Sequence, residues 1–168
     1  MQAIIDLAEK TLLIERNGFL KVSGSIDTHV YYVESGSLRV YFFDGEEEQI
    51  IRFGYSGNLL VSMDSFLSGK PSECAIQAIK KTVVRIITKQ KLDTYLNTQP
   101  NQDFWKSILE NTILQQLERE MDILTQIPGE RYQRVLKRSP RLFQEIPHRY
   151  IANYLRMTPE TLSRLKKS

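Results

Sequence analysis

A chain of 168 residues with 41% hydrophobic and 26% charged side chains has room for one or two small domains, and this composition excludes a disordered or fibrous protein. The formal net charge is only +3, but residues 128–168 hold ten Lys and Arg against three acids, a net of +7, which leaves −4 on residues 1–127. An acidic body with a basic tail points to an anionic partner at the C-terminal end.

Cys74 is the only cysteine, so an intrachain disulfide and an all-cysteine iron–sulfur or zinc site are excluded. The two histidines, His29 and His148, are far apart in sequence, which argues against a metal site. Asp6 and Glu9 interrupt the first ten residues, so no signal peptide is read there. The longest charge-free stretch, 53–63, is too short to span a bilayer. The expected location is the cytoplasm, with no membrane partner.

From about residue 10 to residue 88 the hydrophobic period is two. Over 37–43, Leu38, Val40 and Phe42 share one face while Ser37, Arg39, Tyr41 and Phe43 share the other. Ser35-Gly36 and Asp44-Gly45 bound this strand as turn signals, and Asn17-Gly18 marks another hairpin. Segments 29–34, 49–53, 74–79 and 82–88 complete a set of short strands that predicts a sandwich or barrel. The pattern loosens over 55–72, which makes that segment the candidate functional loop. His29 alone among metal-ligating residues does not support a β-barrel metalloenzyme, so no catalytic and no metal residue is assigned. The aromatics Tyr31, Tyr32, Tyr41, Phe42 and Phe43 read as core and rim, and Glu46–Glu48 as a solvated hairpin tip.

Helical periodicity follows. Residues 89–96 form a short helix capped by Thr88. Thr98 and Pro100 open a longer one that runs to about Gln126, roughly 39 Å at 1.5 Å per residue. Trp105, Leu109, Ile113, Leu117, Met121 and Leu124 line it, and Phe104, Ile108 and Leu114 widen the stripe. One side is expected to cover the barrel, Trp105 included, and another to pair with a second chain through Ile113, Leu114, Leu117, Met121 and Leu124. Pro128 ends it, residues 130–138 form the next helix, and Ser139-Pro140 is a stop.

The sharpest pattern lies in 148–167: HRYIANYL, RMT, PETLSRLKK. A helix–turn–helix needs a small residue where its helices cross and apolar residues at fixed offsets. Ala152 fills the small position; Ile151, Leu155, Met157, Leu162 and Leu165 fill the apolar ones. Thr158 caps the second helix, Pro159 suits its first position and Glu160 its positive end. Pro159, Glu160, Thr161, Ser163, Arg164 and Lys167 are then the candidate DNA-facing residues. Arg164 is placed on a guanine edge and Glu160 on a cytosine amine. Arg149, His148, Lys166 and Lys167 are placed on phosphates or on nothing at all. Arg156 holds the turn position where glycine is usual, at a cost on the order of 1 kcal/mol; either the turn differs slightly or the Arg is retained for a phosphate contact.

A β-domain, a long helix and a C-terminal helix–turn–helix, in this order, resemble the catabolite activator/FNR superfamily of bacterial transcription regulators. VYYVESGSLRVYF (30–42), SFLSGKPSECAIQAI (65–79) and YIANYLRMTPETLSRLKK (150–167) carry the resemblance. It implies an α+β fold: a jelly-roll-like, cyclic-nucleotide-binding-like β-roll over 1–99, a dimerisation helix over 100–127 and a helix–turn–helix domain over 128–168. It also implies a homodimer bound to double-stranded DNA, with RNA polymerase as a further candidate partner. The alternative is a regulatory or interaction module with weak or no specific DNA binding.

Cyclic-nucleotide-binding members of this superfamily carry a cassette of the form Gly-Glu-x-x, then a short helical loop, then Arg-Ser/Thr-Ala. Set against it, Gly57, Asn58 and Leu59 stand for the first part and Glu73, Cys74 and Ala75 for the second. Glu73 in place of the arginine repels a phosphate by several kcal/mol, an order-of-magnitude figure for a poorly solvated site. Cyclic AMP and cyclic GMP are therefore not expected as cofactors, and no other effector is assigned. The chain is also expected to begin near its first strand and to end, at Ser168, almost with the recognition helix.

Overall fold

The computed structural model describes residues 1–167, which form two compact units, Met1–Tyr95 and Leu96 onward.

The first unit opens on a one-turn helix, α1 (Gln2–Ile5), ahead of the first strand, where the sequence suggested none. Eight strands follow: β1 (Lys10–Ile14), β2 (Phe19–Lys21), β3 (Val30–Ser35), β4 (Ser37–Asp44), β5 (Glu47–Tyr55), β6 (Leu59–Leu60), β7 (Ala75–Ala78) and β8 (Thr82–Ile87). They make two antiparallel four-stranded sheets, ordered β1-β8-β3-β6 and β2-β7-β4-β5. Leu38, Val40, Ile76 and Ala78 of one sheet meet Ile14, Tyr31, Val33, Leu60 and Val84 of the other. Leu38 and Val40 of the alternation read in 37–43 thus face the core, but the β4–β5 register shifts between Val40 and Tyr41, so Tyr41 is buried and Phe42 only half-buried. A helix of six residues, α2 (Met63–Ser68), sits between β6 and β7, and α3 (Lys89–Tyr95) closes the unit. The Thr88 hydroxyl accepts the Lys91 N–H at the start of α3.

Two turns show how local chemistry fixes this topology. Gly36 adopts φ +90°, and a Cβ there would lie 2.4 Å from the Thr82 hydroxyl oxygen, so the β3–β4 turn and the start of β8 require glycine. Asn17-Gly18 turns as expected, with Asn17 at φ +66°, but it makes no hairpin. The strands it joins pair elsewhere, β1 with β8 and β2 with β7, so the turn is a corner between sheets.

The second unit is helical: α4 (Gln99–Leu124), α5 (Pro128–Arg138), α6 (Pro140–Glu145), α7 (His148–Tyr154) and α8 (Pro159–Lys167). Ser139-Pro140 ends α5 as expected, and Pro140 is also the first residue of α6. Proline lacks the N–H that a first helical residue does not need, and its fixed φ suits that position. Pro128 and Pro159 open α5 and α8 in the same way. Tyr132, Val135, Leu142, Ile146, Ile151, Ala152, Leu155 and Leu162 are buried in the core of these helices. The ring of Tyr132 meets that of Phe143 edge to face at 5.4 Å. The expected end of the recognition helix at Ser168 falls outside the described residues.

Candidate functional site

In the C-terminal pair, α7 ends where its carbonyls are taken by the turn. Met157 N–H donates to Ala152 O at 3.0 Å and Arg156 N–H to Asn153 O at 3.0 Å. This double bond is a Schellman motif, and it places Arg156 in the left-handed region at φ +54°. The turn therefore has its usual geometry with a costly residue in it, which answers the question the sequence left open.

Thr158 caps α8 through a 3.2 Å bond from Thr161 N–H to its hydroxyl. Leu162 is fully buried; Thr158, Pro159, Glu160, Ser163, Arg164 and Lys167 are exposed, and Thr161 and Leu165 lie between. The Glu160 carboxyl is held below its ordinary range by its own N–H and by the Thr158 hydroxyl. The carboxylate is thus engaged with the start of the helix. Arg164 lies along the helix, 3.4 Å from the Thr161 hydroxyl. Arg149 is exposed over the Tyr150 ring, and Lys166 meets His148 Nε2.

The basic tail is less uniform than its charge count. Arg131 is buried. Arg134 and Arg138 of α5 turn toward α4, where Asp122 is wholly buried between them. Glu118 takes the outer side of both arginines, at 3.5 and 3.1 Å. Beside this group, Arg119 is buried with its guanidinium 3.7 Å above the ring of Tyr154. Burial lowers its pKa, and Arg156 and Arg138 lower it further. Sequence reasoning missed this cluster and counted these arginines as surface charge. The signal was present in Arg131, Arg134 and Arg138, which repeat at helical spacing on α5 and need an acidic partner.

The stripe residues Ile113, Leu114, Leu117, Met121 and Leu124 are 45–71% exposed, whereas Phe104, Trp105, Ile108 and Leu109 nearer the start of α4 are half-buried. The second half of α4 therefore presents these apolar groups outward and Arg119 and Asp122 inward.

In the first unit, Gly57 and Asn58 form the β5–β6 turn, with Gly57 N–H on Val33 O and the Asn58 side chain accepting Tyr55 N–H. Leu59 pairs with Tyr32. The residues that enter helix α2 are instead Val61 and Ser62, four positions on. Glu73 is exposed, Cys74 half-buried and Ala75 buried. The cluster that forms around α2 was not foreseen. Lys21 on β2 is 4% exposed, and its ammonium donates to Val22 O, Ser72 O and Cys74 O at 3.0, 3.2 and 2.7 Å. Burial lowers its pKa, while Asp64, Asp27 and Cys74 oppose that shift. Asp27 N–H donates to the buried Ser65 hydroxyl, and the Asp27 carboxylate takes the His29 ring and the Tyr31 hydroxyl at 2.8 and 2.7 Å. Burial, foremost, and Asp27 push the Tyr31 pKa far up. Burial raises the Cys74 thiol, so it is no ready nucleophile. Ser62 and Asp64 ahead of Phe66 read as a helix start; Lys21, 51 residues from Ser72, carries no local signal.

Glu73 brings a negative charge to the position where the family's cassette has arginine, and all three Lys21 protons are spent on carbonyls. The residues present do not fit a cyclic nucleotide held in the family's way. Among the described residues, no group of three His, Cys, Asp or Glu is placed to hold a metal ion. No described helix is long and apolar enough to cross a membrane.

The chain belongs to the cyclic nucleotide-binding domain family, which it matches over residues 13–99, and its fold is that of the catabolite activator/FNR superfamily. FixK2 from Bradyrhizobium japonicum superposes with a TM-score of 0.77 at 19% identity, over 94% of this chain and 82% of that one. A putative Crp/Fnr-family transcriptional regulator from Eubacterium rectale gives 0.70 at 18%, over 99% and 82%. The catabolite activator protein of Thermus thermophilus gives 0.60 at 18%, over 99% and 80%. None of the curated proteins matches the sequence.

Proposed function

We propose that this chain is a DNA-binding transcription regulator that acts as a homodimer, with α8 in the major groove and no requirement for a cyclic nucleotide. The observation that carries the reading is the α7–α8 pair: a Schellman turn, a capped second helix and an exposed face bearing Arg164 and Lys167. Regulators among the structures of similar fold support it, as does the exposed apolar stripe of α4.

In this reading Ser163, Arg164 and Thr161 face the base edges. Arg149, Arg156 and Lys167 reach phosphates, and Thr158, Pro159 and Glu160 build the start of the helix that holds the others. Ile113, Leu114, Leu117, Met121 and Leu124 close on their counterparts in a second copy. Gly57, Asn58, Leu59, Glu73, Cys74 and Ala75 flank a sensor segment held by Lys21 instead of by a nucleotide.

The test is selection of bound sequences from a random DNA pool. A near-palindrome of two half-sites is expected, with Arg164→Ala relaxing preference at one position by about 1–3 kcal/mol. A pool that yields no enriched sequence refutes the reading.

A further inference from the structure

Resting on that reading, we infer that Asp122 is a positioning residue that fixes the separation of the two recognition helices and so sets the operator half-site spacing. Helix α4 carries two opposed faces over its last turns. At about 100° per residue, the direction of Arg119 and Asp122 lies roughly 160° from the mean direction of the apolar stripe. Asp122 and Met121 are adjacent residues, so the face that pairs with a second copy and the face that grips the helix–turn–helix unit share one turn.

The grip is made of charge rather than packing. The Asp122 carboxylate is fully buried, accepting Arg134 Nε at 3.1 Å and Arg138 NH1 at 3.3 Å on Oδ1, and Arg138 NH2 on Oδ2. Glu118, one turn earlier, accepts Arg138 at 3.1 Å. These bonds tie α4 to α5. Arg119 extends the tie to α7 by stacking on Tyr154, and α7 holds α8 through the Arg156 turn. Apolar contacts slide at little cost, but a buried carboxylate with three directed donors has one arrangement and is costly to leave half-made. A rigid joint at this turn transmits the dimer geometry to α8 without slack. One base pair added between half-sites moves the second by about 3.4 Å and turns it by roughly 35°, which a rigid pair cannot follow.

The experiment measures the affinity of the full chain for a series of operators whose half-sites, taken from the selected sequence, are separated by one to two base pairs more or fewer. Wild type is expected to prefer one spacing by about tenfold over its neighbours. Asp122→Asn, which keeps the size of the side chain, is expected to flatten that preference to within about threefold while keeping binding to a single half-site. Glu118→Gln, on the exposed rim of the joint, is expected to flatten it less, and this variant secures the test if Asp122→Asn fails to fold. Variants that fold and bind more weakly at every spacing, with the wild-type preference unchanged, overturn the role of Asp122 and leave the regulator reading standing. A wild-type chain that binds the selected sequence with no spacing preference overturns the inference but not the homodimer reading, which sedimentation tests separately.

Discussion

Arg156 offers a test in which stability and binding move in opposite directions. Its backbone sits at φ +54°, where an L-residue with a Cβ loses roughly 1–2 kcal/mol against glycine. Arg156 also adds repulsion to the buried Arg119. Glycine would remove both penalties, though its freer unfolded chain returns about 0.5–1 kcal/mol of the gain. Arg156→Gly is therefore expected to leave the second unit unchanged or stabilise it by up to about 1 kcal/mol. For a unit of this size that is a rise of up to about 4–8 °C in melting temperature. Binding should do the reverse. If the exposed guanidinium neutralises one phosphate, its loss reduces the slope of log affinity against log salt by about 0.9 per half-site, with base preference intact. Arg156→Asn, which tolerates the same φ without the charge, should match the binding defect. Thermal melts and affinity measured at three or four salt concentrations read the two quantities separately. A glycine variant that is less stable and keeps the wild-type salt slope refutes the argument, because Arg156 would then be holding the turn together.

Three further outcomes follow from the geometry. Leu117→Glu puts a charge in the middle of the exposed stripe and is expected to convert a dimer to a monomer by sedimentation; a dimer that persists places the interface elsewhere. Lys21→Met removes the ammonium that joins β2 to the backbone of Ser72 and Cys74. It is expected to increase hydrogen exchange over 62–74 without creating cyclic AMP affinity by calorimetry, and wild-type binding of cyclic AMP at micromolar concentration overturns the account of that segment. Asp64 contributes to the acid limb of the first unit. Burial alone would raise its carboxyl, but the Ser72 hydroxyl, the Ser65 N–H, the Ser62 hydroxyl and its own N–H together hold it below its ordinary value of 3.8. A depressed carboxyl stabilises the fold above the unfolded value and loses that contribution as pH falls through the folded one. Ser72→Ala should therefore move the acid-unfolding midpoint of the first unit upward in circular dichroism titrations below pH 5, and an unmoved midpoint rejects the assignment.

The sequence yields most where the information is local. Period-two alternation locates β4, and the offsets of Ala152, Leu155 and Leu162 locate the helix pair, because each pattern is a single element's own face. It yields less where one residue type serves two purposes. Pro140 stops one helix and starts the next, and Asn17-Gly18 turns the chain without saying which strands then pair. It fails for contacts between distant segments. Lys21 lies in a short apolar run, and nothing nearby indicates that its charge will meet Ser72 and Cys74. The cassette comparison is a related case: Gly57-Asn58 has the composition expected of the first part, and the short helix that separates it from Glu73 begins only after Ser62.

The inverted face of α4 is the feature with the widest consequence. Fully burying a Leu, Ile or Met stabilises by about 1.5–3 kcal/mol. Five half- to mostly exposed stripe residues on each of two chains therefore represent a gross gain on the order of 10 kcal/mol on association, before the loss of translational and rotational freedom is subtracted. The same helix cannot turn that stripe inward, because its other face is fixed by Asp122 and Arg119. Rotating α4 would expose a buried carboxylate and separate three charge-assisted hydrogen bonds. The charged joint thus keeps the apolar face from collapsing onto its own chain and leaves it exposed, as the proposed homodimer requires. If that is so, the melting temperature of the second unit rises with protein concentration in the wild type and stops doing so in Leu117→Glu.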